Sequence, residues 1–182
     1  MPSWAGAGSA AVEVLGSATA GASDHSLTVS FTAVTDATPE VYVTFMGSMD
    51  AQKDLMMKIN GLTSDYWLSR TGFTQTTGTT AQRALYTSAS EWTLSNQYLN
   101  KFFSGWVKLS IRPNNPHSSE SSDILGNYQV GGDGSASEGN EWYGCMKREG
   151  VSSLTSVTLE MGGAATDYFA DDTILAVYKR SA

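Results

Sequence analysis

The chain has 182 residues with 18 acidic and 11 basic side chains, a net charge of −7. It is long enough for one domain with its own core, and no phosphate-neutralising surface is visible, so nucleic acid is not an expected partner. Only 16% of residues are charged, against about 25% in average soluble domains, and the abundance of Ser, Thr and Gly favours strands and turns over long surface helices.

Residues 1–22 are dominated by Ala, Gly and Ser, with Trp4 as a lone aromatic and Val12, Val14 and Leu15 in a short apolar stretch. The segment reads as an N-terminal arm ahead of a folded unit at 23–182. Its apolar residues either complete a sheet edge or dock on a neighbouring molecule. Residues 1–52 hold five acids and no Lys or Arg, so the arm is expected to meet protein rather than phosphate. No basic and continuously apolar leader heads the sequence, and no run approaches the ~18 apolar residues of a membrane span. Neither export nor membrane insertion is expected.

From Ser26 the pattern alternates, with Leu27, Val29 and Phe31 on one face and Thr28, Ser30 and Thr32 on the other. That is a half-buried strand. Residues 40–46 repeat it with Val41, Val43 and Phe45, and Tyr42 and Met46 make the second face apolar too, which predicts a central strand. Asn60-Gly61 tolerates the two positive φ angles of a type I′ turn, so 54–59 and 62–70 are expected to pair as a hairpin. The Thr- and Gly-rich stretch 71–80 reads as a loop, followed by a short strand at 83–87.

Residues 96–103 suit one or two helical turns, with Tyr98, Leu99, Phe102 and Phe103 on one side. Residues 105–112 alternate again, Val107, Leu109 and Ile111 opposite Trp106, Lys108 and Ser110, until Pro113 removes a ladder donor. Further strands are expected at 125–130, 141–146, 154–161 and 173–179. The fold class is therefore all-β: a single antiparallel β-sandwich or jelly roll with an extended N-terminal arm.

Candidate chemistry is sparse. Cys145 is the single cysteine, which excludes an intrachain disulfide framework and a cysteine-based zinc site. Asp24, His25 and Ser26 have the residue types of a hydrolase triad, but adjacent strand residues point to opposite faces while a triad must converge. His117 sits in a polar loop. Glu138 and Glu141 near Trp142 and Tyr143 offer paired carboxylates, and 131–135 with Asp167, Asp171 and Asp172 offer oxygen ligands of the kind calcium takes; turns explain both. No catalytic, cofactor-binding or metal-binding residue is assigned, and no cofactor is expected. Trp4, Trp92 and Trp142 have loop-like surroundings, so with Val12, Val14 and Leu15 they are the expected partner contacts. Tyr42, Trp106 and Tyr178 lie inside strands and are expected in the core or a subunit interface.

Two stretches carry a resemblance: LMMKINGLTSDYWLSRTGF at 55–73, and VSSLTSVTLEMGGAATDYFADDTILAVYKR at 151–180. They resemble a family of small β-sandwich (jelly-roll) proteins on tailed-bacteriophage virions, of decoration or tail type. At Asp171-Asp172 the chain departs from the small residues usual there. The resemblance implies a non-enzymatic virion structural protein, a homo-oligomer whose partners are major capsid protein or tail subunits. The expected role is a capsid decoration protein on the outer head surface; the alternative is a tail-fibre or baseplate domain binding a host glycan through exposed aromatics.

Overall fold

The computed structural model describes residues 11–35, 40–51, 53–76, 78–95, 102–112, 122–133, 139–163 and 166–180. Within them the chain forms twelve strands: β1 (Val12–Thr19), β2 (Ser26–Val34), β3 (Glu40–Ser48), β4 (Leu55–Ile59), β5 (Tyr66–Thr76), β6 (Gly78–Ala89), β7 (Trp92–Thr93), β8 (Phe102–Arg112), β9 (Asp123–Asp133), β10 (Gly139–Arg148), β11 (Leu154–Met161) and β12 (Ile174–Arg180). They build two antiparallel sheets: a large one in the order β1-β12-β3-β8-β9-β10-β5-β6, and a small one in the order β2-β11-β4-β7. The two pack face to face as a β-sandwich.

Alternation along each strand supplies the core. Val41, Val43 and Phe45 of β3 and Val107, Leu109 and Ile111 of β8 turn inward, as do Leu55, Met57 and Ile59 of β4 and Val157, Leu159 and Met161 of β11. Burial of such side chains contributes about 1.5–3 kcal/mol each. As expected, β3 is an interior strand, third in the large sheet.

The Asn60-Gly61 turn forms with φ angles of 53° and 65° and a Leu62 N–H to Ile59 carbonyl bond of 3.0 Å. The expected hairpin does not. β4 pairs with β11 and β7, whereas β5 pairs with β10 and β6, so the turn carries the chain from one sheet to the other. The dipeptide fixes the local reversal only, and the distant partners of each flank are set by which face it buries. Tyr66 locks this corner: its hydroxyl accepts the Ile59 N–H at 2.9 Å and lies 3.1 Å from the Ile59 carbonyl. A side chain added at Gly61 meets nothing within 4 Å, so Gly61→Val should cost only the strain of a β-branched residue at positive φ, about 1–2 kcal/mol. Urea denaturation gives that figure directly, and an unchanged midpoint would contradict it.

Two other expectations are corrected. The Thr- and Gly-rich stretch read as a loop at 71–80 lies mostly in β5 and β6, which pair from Tyr66↔Ala89 to Thr76↔Gly78. Phe102 and Phe103 belong to β8, one outward and one inward, rather than to one side of a helix; residues 96–101 lie outside the described residues. Of the two alternatives for the apolar residues of the arm, the sheet edge is the one formed: residues 12–19 are strand β1, hydrogen-bonded to β12. A register shift between Val14 and Gly16 is a bulge that leaves Leu15 without a ladder partner, and Leu15 packs on the core.

Candidate functional site

The outer faces of the two sheets differ in chemistry. That of the small sheet carries Thr28 and Thr158, their hydroxyls 2.9 Å apart, and the Lys58–Glu160 ion pair at 2.6 Å. On the large sheet lie Val12, Val14, Met46, Leu85, Phe102, Trp106, Tyr143 and Ile174, the large apolar side chains left exposed among the described residues. All eight share one face. The strand register explains why: the paired rungs put all eight on one side of the sheet, and those on β3, β8, β10 and β12 alternate with buried neighbours such as Phe45, Phe103, Val107, Trp142 and Leu175.

At the centre of this face the rungs of five strands align Thr44, Trp106, Gln129, Tyr143 and Thr71. Trp106 is 39% and Tyr143 43% exposed, one on each side of Gln129. The Trp106 indole N–H donates to Gln129 Oε1 at 3.3 Å, and Gln129 Nε2 donates to Glu141 Oε1 at 2.6 Å. A shallow, open depression of about 360 Å³ lies here, lined by Trp106, Gln129, Glu141, Tyr143 and Cys145.

Two residues along from Trp106, Lys108 is ion-paired with Glu40, and the Tyr42 hydroxyl donates to the same carboxylate at 2.6 Å. The Lys108 and Tyr42 hydrogen bonds hold the Glu40 carboxyl below the ordinary carboxylate range, and Glu40 in turn raises Lys108. The Lys108 charge is thus already matched, whereas Glu141 brings its carboxylate to the depression.

The expected partner contacts divide. Trp4 lies outside the described residues. Val12 and Val14 are exposed at 67% and 66%, while Leu15 turns inward. Trp92 and Trp142 are corrected: they are 0% and 1% exposed and offer nothing to a partner. Trp92 meets Tyr66 edge-on, ring centroids 5.0 Å apart, and donates its indole N–H to the Lys147 carbonyl. Trp142 lies under the Arg70 guanidinium, 5.0 Å from the ring centroid. Arg70 is itself buried, donating to the Thr93 and Ser95 carbonyls and the Tyr86 hydroxyl, and it ties the β7 segment to β5.

The polar candidates are occupied in turns. Asp24 accepts the Gly21 N–H at 2.8 Å, His25 Nδ1 lies 2.8 Å from the Asp167 carbonyl, and the Asp167 carboxylate pairs with Lys53. Asp24, His25 and Ser26 are not brought together as a triad. His117, Glu138 and residues 134–135 lie outside the described residues. Among those described, no group of three His, Cys, Asp or Glu side chains converges to hold a metal.

The residue pair that sequence reasoning passed over is Trp106 with Tyr143. The signal was present, because the alternation of 105–112 sets Trp106 opposite Val107, Leu109 and Ile111. Comparison with protein-family models, with curated proteins and with solved structures returns no match.

Proposed function

We propose that this chain is a non-enzymatic structural protein of a tailed-phage virion, a decoration module on the outer head surface. Its partners are capsid subunits and further copies of itself. The observation that supports the reading is the set of exposed apolar side chains gathered on one outer face of the large sheet, since exposed apolar patches mark interaction sites. Attachment is assigned to its β1 end, where Val12 and Val14 flank an open sheet edge. Ile174 and Met46 face each other across β12 and β3. An edge strand in a free-standing protein is usually blunted by Lys, Pro or short length. β1 has eight residues and one charge, Glu13, which pairs with Lys179 at 3.8 Å.

On purified virions the protein should appear in hundreds of copies when its gel band is measured against the major capsid protein. Val14→Asp should fold normally and lose most of that occupancy, because a buried unpaired carboxylate costs several kcal/mol at an interface. A handful of copies per particle would overturn the head assignment in favour of the tail. Full occupancy of the Val14→Asp protein would remove the β1 edge from the contact.

A further inference from the structure

We infer that the depression at the centre of the large sheet, between Trp106 and Tyr143, binds a neutral saccharide. The inference goes beyond virion attachment, which uses the β1 end of the same face, and the two can fail separately.

Sugar rings combine an apolar face of C–H groups with a rim of hydroxyls, and a site for them needs an aromatic plane beside fixed hydrogen-bonding groups. Both are present. Trp106 and Tyr143 stand on β8 and β10 with the single strand β9 between them. Neighbouring strands lie about 4.8 Å apart, so the two residues are separated by roughly 10 Å, a span suited to a disaccharide unit. Between them Gln129 has one N–H committed to Glu141 and its oxygen facing the Trp106 indole. The other amide hydrogen, the second lone pair on that oxygen and the second Glu141 oxygen are of the types that pair with vicinal hydroxyls. The chain of bonds from Trp106 through Gln129 to Glu141 pre-sets the indole and the carboxylate, which lowers the ordering cost on binding.

Charge selects among saccharides. Glu141 lines the depression, Lys108 is matched by Glu40, and Arg83 stands two strands beyond Tyr143 in the same row. A uronic or sialic carboxylate would meet the Glu141 carboxylate, while a neutral hydroxyl can donate to it. The shape also fits. An open depression of about 360 Å³ is at the small end for ligand sites, sufficient for one or two sugar units of a longer chain passing over the sheet.

The test titrates the full chain with cellohexaose, maltohexaose, mannohexaose, chitohexaose and the acidic hexagalacturonate. Binding is read by isothermal titration calorimetry in every variant and, where Trp106 is retained, from the indole N–H resonance that a Trp106→Phe spectrum assigns. At least one neutral oligomer should shift that resonance saturably with a Kd of about 0.1–1 mM. Trp106→Ala and Tyr143→Ala should each weaken binding about tenfold or more, and Leu85→Ala, exposed on β6, should leave it unchanged. Gln129→Leu keeps both rings and should still lose the affinity, which separates a saccharide site from a merely sticky aromatic patch. The inference is overturned if no neutral oligomer shifts the resonance or if hexagalacturonate binds best. It is equally overturned if sedimentation shows a dimer that Trp106→Ala dissolves, since the face would then be covered by a second copy. Loss of particle binding in Val14→Asp with saccharide binding intact would show the two surfaces to be independent.

Discussion

Gly72→Ala should lower the unfolding free energy by about 3 kcal/mol, although it adds a single methyl group. In a chain of this size that corresponds to a fall in Tm of roughly 6–12 °C. Gly72 on β5 is the rung partner of Trp142 on β10. A Cβ at position 72 would stand 2.0 Å from Trp142 Cε3 and 2.3 Å from Cδ2. The indole lies across the glycine, filling the space its missing side chain leaves. It has nowhere to go, since Trp142 is 1% exposed and has the buried Arg70 guanidinium 5.0 Å from its ring centroid. Overpacking a tight core costs about 1–3 kcal/mol and occasionally more, and a rigid two-ring side chain with a buried charge beside it belongs at the upper end.

The ring, not the backbone, is the obstacle, so Trp142→Leu should cost less in the Gly72→Ala background than in the native chain. Additive losses in that double-mutant cycle would mean the two positions act independently and that the glycine serves the strand conformation instead. On the same rung, Gly105 is likewise paired with Phe45, whose ring would lie 2.7 Å from an added Cβ.

These glycine–aromatic pairs explain what could and could not be read in the sequence. Strands β2, β8 and β11 are legible because their apolar residues alternate with Thr, Ser or Lys, and β3 because its residues are apolar on both faces over a strand's length; both are local properties. Trp142 reads as an exposed residue because its neighbours Glu141, Asn140 and Gly144 look like a loop. Its burial is provided by Gly72 from a strand seventy positions away, and nothing near Trp142 announces that. The β5–β6 pairing was hidden for a related reason. Thr and Gly in 71–80 suit a turn as readily as a strand, and only the pairing of β5 with β10 decides between them.

The candidate site follows the same division. The outward direction of Trp106 can be read from its own strand, and that of Tyr143 from its alternation with Trp142 once Trp142 is known to be buried. That the two stand with Gln129 between them depends on the register of β8, β9 and β10, which is set by the whole sheet. The edge position of β1 is equally non-local, because it rests on pairing between the two ends of the chain.

Asn60→Ala should destabilise the fold by about 3 kcal/mol, more than the Gly61 substitution beside it, because Asn60 does two jobs at once. Its φ of 53° is one that Asn tolerates and Ala resists by about 1–2 kcal/mol. Its carboxamide also joins the turn to β11. Nδ2 donates to the Ser153 carbonyl at 2.7 Å, and Oδ1 accepts the Thr155 and Ser156 N–H groups at 2.8 and 3.3 Å. The pairing of β11 with β2 shifts register between Leu154 and Ser156, with the extra residues on β2, so Thr155 has no rung partner there and Asn60 takes its N–H. Thr155 is exposed and water can partly replace that bond, which keeps the loss of the side-chain bonds near 1–2 kcal/mol. Asn60→Gly removes the same bonds without backbone strain and should therefore fall between wild type and Asn60→Ala, about 1–2 kcal/mol below wild type in urea denaturation. An Asn60→Gly protein as stable as the native chain would show that the carboxamide bonds contribute nothing and that the positive φ alone accounts for asparagine at this corner.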